Sequence, residues 1–183
     1  KIEEERSFSK NILIELLQNC NELEVKDIVI PCVDQSSLST PQCIELFIAQ
    51  ILEVIPIAEN LGINLSLETD LPPLSFRGLL NELNSKSVTV NYDTGNSASQ
   101  GYDFREELKY YGDRISDLHI KDRELGGGSV FLGTGDVNLP CFLREFEKCD
   151  FEGPVIFQLF RDDEGIAIFK EQLEVFNRLN ASV

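Results

Sequence analysis

The sequence predicts an α/β protein built on a parallel sheet, and three observations carry that prediction. Apolar segments of strand length alternate with segments of helical periodicity five times, beginning with a helix. No two strand segments are joined by a tight hairpin signal; helices fill the connections, which makes the strands parallel and their crossovers right-handed. Ionisable and polar residues gather at the C-terminal ends of successive strands. Two architectures accommodate this pattern, an open doubly wound sheet or part of a (β/α)8 barrel. A whole barrel takes about 200 to 250 residues or more, and 183 residues with five strand segments fall short of that.

The first helix is expected from about Ser9 to Leu23, where Ile12, Leu13, Leu16 and Leu17 form a helical stripe. Val25 to Val33 is a continuous apolar run rich in β-branched residues, the pattern of a strand buried on both faces. Thr40 as N-cap and Pro41 at the first helical position start a long helix that carries Ile44, Phe47, Ile48, Ile51, Leu52 and Ile55 and stops at Gly62. In Ile63 to Glu68, Ile63, Leu65 and Leu67 alternate with polar residues. Pro72-Pro73 interrupts the chain before a helix over about Ser75 to Leu83. Val88 to Tyr92 is the next strand, ending in Asn91-Tyr-Asp-Thr-Gly-Asn96, and a helix near Phe104 to Tyr111 comes after it. Ile115 to Arg123 is the strand that holds the one histidine, His119. Asn138 caps a helix through Glu147, with Pro140 in its first turn. Gly153 to Phe160 is the last strand, and Gly165 to Leu179 the last helix, with a broad apolar face of Ile166, Ile168, Phe169, Leu173, Val175 and Phe176.

Composition narrows the functional class. Lys and Arg total 16 against 32 Asp and Glu, a formal charge of −16, which repels nucleic acid and anionic membrane surfaces. Five widely spread cysteines without a Cys-x-x-Cys pair fit reduced thiols in a cytoplasmic protein, with Cys32 and Cys43 expected in the core. No apolar run is read as approaching the roughly 18 residues of a membrane span, and no signal peptide opens the chain. The expectation is a soluble single domain over residues 1–183. A chain that begins at Lys1 and contains no methionine is expected either to be a piece of a longer one or to be written without its methionines.

In parallel α/β folds the site lies at the C-terminal strand ends. Read in order, those ends present Glu68, Asp93, His119 and Gln158. Buried carboxylates left bare would cost several kcal/mol each, and a divalent cation held by two carboxylates, a neutral imidazole and an amide oxygen removes that cost. A mixed oxygen and nitrogen set suits Mn, Mg, Co or Zn alike. Lys121, which alternation places on the same face as His119, is the expected substrate contact. Arg123 and Arg161 are the other basic groups near the rim. The glycine-rich stretch Gly126 to Gly135 lacks the spacing of a phosphate-binding loop and reads as a lid or small hairpin, with Asp122 as a structural cap or ion-pair partner.

Four segments, Leu67-Glu-Thr-Asp70, Asn91-Tyr-Asp-Thr-Gly-Asn96, His119-Ile-Lys-Asp122 and Leu132-Gly-Thr-Gly-Asp136, resemble those of the xylose isomerase-like TIM barrels. Within these, the resemblance is to the sugar phosphate isomerase/epimerases, which include ketose 3-epimerases. It extends from about Val25 to the C-terminus. It implies a (β/α)8 barrel of which this chain holds strands four to eight, and a divalent metal with Glu68, Asp93, His119 and the strand-eight residue Gln158 as ligands. The implied reaction runs through an enediolate, with Glu68 as acid and base on a sugar or sugar phosphate. The substrate contacts would include Asn96, Lys121, Arg123 and Arg161. Asn96 stands where the epimerases place a histidine, and Gln158 where they place a second glutamate. An amide does not exchange a proton near neutral pH, so the two-base epimerase chemistry is not expected to carry over unchanged. The alternatives are one-base chemistry, a lyase or dehydratase reaction, or a non-catalytic metabolite-binding homologue. Five parallel strands leave a sheet edge, for which an opened barrel or pairing into a homodimer is the expectation.

Overall fold

In the computed structural model, residues 3–163 and 165–181 are described. They form α1 (Glu3–Glu22), β1 (Asp27–Cys32), α2 (Pro41–Leu61), β2 (Asn64–Thr69), α3 (Pro73–Leu83), β3 (Val88–Asp93), α4 (Thr94–Gln100), α5 (Phe104–Tyr111), β4 (Ile115–Ile120), α6 (Leu139–Phe146), β5 (Val155–Phe157) and α7 (Ile166–Asn180). The strand order is β1-β2-β3-β4-β5. The registers Leu67↔Val90 and His119↔Ile156 are among those that show parallel pairing. Chain order and sheet order coincide without a reversal. That progression belongs to a (β/α) barrel segment; a doubly wound sheet reverses its strand order at a switch point. The chain divides into two compact units, one ending at Val90 and the other beginning at Asn91.

In the first unit, α2 begins and ends where local chemistry dictates. Thr40 Oγ1 accepts from the Cys43 amide at 3.1 Å, Pro41 takes the first position, and Gly62 closes the helix at φ 64°. Ile48, Ile51, Val54, Ile55 and Ala58 form the buried face of α2, and Leu65 and Leu67 of β2 are buried as well. By length and composition alone α2 is apolar enough to cross a membrane, which the sequence reading did not register. Its buried apolar stripe is that of a core helix in an α/β unit. Two expectations need correction. β1 is not buried on both faces: Ile28 and Cys32 are buried, Val29 and Ile30 are half-buried and Pro31 is exposed, on a strand at the edge of the sheet. Cys43 is exposed, not in the core, since the buried residues of α2 start only at Ile48. The cysteines are free thiols. Burial pushes the Cys32 thiol up to about 12, with Asp70 and Glu68 adding to the effect.

In the second unit, an aromatic stack ties helices to strand. Phe142 lies parallel to Tyr92 at 5.2 Å and to Phe146 at 5.2 Å, with Phe104 edge-on at 5.9 Å. Asn138 caps α6 by accepting from the Cys141 amide at 3.3 Å. The last strand is shorter than expected, three residues instead of eight. β5 is the other outermost strand, and Val155 and Ile156 stay 45% and 41% exposed. The apolar face expected of α7 is partly covered: Ile166 and Phe169 are exposed, Ile168, Leu173, Val175 and Phe176 are half-buried, and Gln172 is the residue that is buried. Gln172 Oε1 accepts from the Leu132 amide at 3.0 Å and its Nε2 donates to Phe160 O at 2.8 Å, so it pins α7 to the glycine-rich stretch and to the chain beyond β5.

Candidate metal centre

The centre of the site is built by a turn of four residues at the end of β3. Asp93 Oδ1 accepts from the Asn96 amide at 2.8 Å and so caps α4, a helix that the sequence pattern does not predict. Thr94 Oγ1 donates to Lys121 O at 2.7 Å and accepts from Lys121 N at 3.0 Å, which fastens α4 to the end of β4. Gly95 makes the close approach possible, because a Cβ there would stand 2.9 Å from Lys121 Cγ. Asn96 Oδ1 accepts from Arg123 Nη1 at 2.8 Å. Each residue of Asp-Thr-Gly-Asn therefore has a separate task in joining β3 to β4.

This joint leaves the other carboxylate oxygen, Asp93 Oδ2, facing two cationic or basic groups. It lies 4.0 Å from His119 Nδ1 and 3.6 Å from Lys121 Nζ, is buried, and accepts no hydrogen bond. His119 is 5% exposed, with Nε2 3.7 Å from Asp117 Oδ1 and Nδ1 3.3 Å from Asn91 Nδ2. A buried carboxylate oxygen without a hydrogen-bond donor is costly in an apolar interior. Beside an imidazole it is the arrangement a divalent cation satisfies, so these residues fit a metal. Glu68, in the first unit, is buried on β2 and, like Asp93 and His119, offers one ligand atom.

The remaining site residues are placed as follows. Lys121 Nζ donates to Gln158 Oε1 at 3.1 Å, so the amide oxygen of Gln158 is engaged by an ammonium group. Arg123 donates from Nε and Nη2 to Gly127 O at 3.0 and 2.7 Å and from Nη1 to Asn96, which makes it the clamp of the glycine-rich stretch. Arg161 is exposed on the wall of a groove that Lys121 and Gln158 also line. Asp122 is a cap of an extended kind. Its Oδ2 accepts from the amides of Gly133 and Gly135, at 2.8 and 3.0 Å, and its Oδ1 from Val137 at 3.2 Å. Arg123 and Ser129 form one antiparallel bridge, the small hairpin expected of the stretch.

Sequence reasoning missed the support beneath Asp93. Glu107 on α5 is buried and accepts from Tyr92 at 2.7 Å, from Tyr111 at 2.8 Å and from Ser97 by a short bond. Burial pushes the Glu107 carboxyl up, opposed by the three hydroxyl donors, and burial likewise raises the Tyr92 and Tyr111 phenols. The only sequence signal was a glutamate on a short helix otherwise rich in exposed charge.

The family model described as xylose isomerase-like TIM barrel matches residues 1–179. The chain is similar to an L-ribulose 3-epimerase of Methylomonas sp. (strain DH-1), 27% identical over 114 residues that span 58% of this chain and 38% of that protein. It spans less than half the length of the curated relatives it matches. Among solved structures it resembles a xylose isomerase domain protein from Planctomyces limnophilus, with a TM-score of 0.81 and 20% identity over 96% of this chain and 67% of the other. It also resembles the IOLI protein, solved with a binding zinc atom, with a TM-score of 0.80 and 19% identity over 98% and 70%.

Proposed function

The chain belongs to the xylose isomerase-like TIM barrel family, and from that premise we propose that it acts on a sugar or sugar phosphate as a metal-dependent isomerase or epimerase. The observation that carries this reading is the buried Asp93 Oδ2, which accepts no hydrogen bond and stands beside His119. Glu68, Asp93 and His119 are the proposed ligands of a divalent cation, each buried and each with one donor atom to give. When bound, the cation supplies polarisation of the substrate's carbonyl and hydroxyl oxygens. Glu68 is the proposed acid and base, taking the proton from the carbon beside the carbonyl and returning it. Asp93 is oriented for its part by the Asn96 amide, and His119 by Asn91 and Asp117. Gln158 cannot serve as a second acid or base, because an amide neither gives nor takes a proton near neutral pH. Among the family's reactions this favours those that need one carboxylate, aldose–ketose isomerisation or β-elimination, over two-base epimerisation.

Metal analysis and turnover of a ketose and aldose panel test the reading. Glu68→Gln and His119→Ala are expected to lose both bound metal and activity, and undiminished metal binding and turnover in both would refute it. Gln158 also motivates a second reading, a metabolite-binding homologue without turnover. Under that reading the panel shows binding but no product, and Gln158→Glu restores epimerisation.

A further inference from the structure

We propose that the groove beyond β5 is an anion subsite, and that Gln158 selects sugars bearing a phosphate or carboxylate over neutral ones. The groove measures about 800 Å³ and is walled by Lys121, Gln158, Arg161 and Ser129, with Phe160 and Phe169 as apolar surface. In a chain with 32 acidic and 16 basic residues, two cations on one groove run against the overall charge. Asp162 is the carboxylate among its lining residues. The Lys121 side chain is 19% exposed, whereas the Asp93 carboxylate behind it is fully buried, so a ligand in the groove meets the ammonium and not the acid.

Gln158 decides the sign of this corner. Its Oε1 is taken by Lys121 Nζ at 3.1 Å, so what it can offer a ligand is the donor Nε2. Ammonium, guanidinium and amide donors together suit the oxygens of a phosphate or carboxylate. A glutamate at 158 would put a negative charge at that distance, pair with Lys121 and repel an anion. The amide that removes a proton-transfer group thereby makes room for substrate charge. That the ligand is a sugar rests on the isomerase/epimerase reading; the anion preference does not.

Titration calorimetry on the whole chain, stripped of metal and held at fixed ionic strength, tests this with D-fructose, D-fructose 6-phosphate, D-gluconate and inorganic phosphate. The phosphorylated or carboxylated sugar is expected to bind at least about tenfold more tightly than fructose, the worth of one charged hydrogen bond. Which of the two binds identifies the anionic group. Arg161→Ala, a change at an exposed side chain, and Gln158→Glu are each expected to weaken anion binding by about tenfold or more. Equal affinity for fructose and both anionic sugars, or an unchanged anion affinity in either variant, overturns the proposal. Anion binding that persists in His119→Ala, alongside a wild type without turnover, would sink the isomerase reading and uphold the subsite.

Discussion

Asp122 offers the sharpest test of how the glycine-rich stretch is held. The residue is 1% exposed and receives three backbone amides, from Gly133, Gly135 and Val137. In Asp122→Asn one oxygen remains. Placed as Oδ2, it keeps the Gly133 and Gly135 bonds but turns them from charge-assisted to neutral, a loss of about 1 kcal/mol each. The amide nitrogen then faces the Val137 N–H, leaving a buried donor unsatisfied at about 1–3 kcal/mol. The expected total is about 3–5 kcal/mol, a large part of the stability of an ordinary domain. Urea unfolding followed by circular dichroism gives the global loss. Hydrogen exchange at Gly133, Gly135 and Val137 shows whether the stretch opens locally first. A loss below about 1 kcal/mol with unchanged exchange at the three amides would refute the account. Gly135 belongs to the same arrangement, since a Cβ there would stand 2.3 Å from Asp122 Oδ1.

Glu107 carries a pH dependence of determined sign. Its carboxyl is raised by burial, so in the window between its unfolded and folded values the native state binds more protons, and stability falls as pH rises through the folded value. Thermal unfolding followed from acid to neutral pH should show the wild type losing stability relative to Glu107→Gln as pH rises, because the variant has no carboxyl to titrate; parallel curves would contradict it. The cysteines give a chemical check. Cys43 is exposed and should react with a thiol reagent in the native protein, while buried Cys32, its thiol pushed up to about 12, should react only on unfolding. Equal native rates for the two would show that their placement is wrong.

Legibility in the sequence followed the range of the interactions concerned. α2 was readable at both ends because Thr40, Pro41 and Gly62 act on their own neighbours. α6 was readable for the same reason, with Asn138 capping within three residues. α4 was not: Thr94 and Gly95 hold it in place by meeting Lys121, just past the end of β4 and far off in the chain. The length of β5 was overestimated, since an apolar pattern states what a segment prefers and not whether anything pairs with or covers it.

The sequence by itself determined the alternation of helix and strand and their parallel sense, and it pointed to Glu68, Asp93, His119 and Gln158, with Lys121 as a substrate contact, as the residues of a site. These rest on side-chain period and local capping, which a chain carries wherever it goes. Only the tertiary structure decided that strand order runs without reversal, that Asp93 Oδ2 is left without a hydrogen bond beside His119, and that Gln158 engages Lys121. The last two depend on residues brought together across 26 and 37 positions of chain, and distances of that kind are set by packing, not by neighbours in sequence.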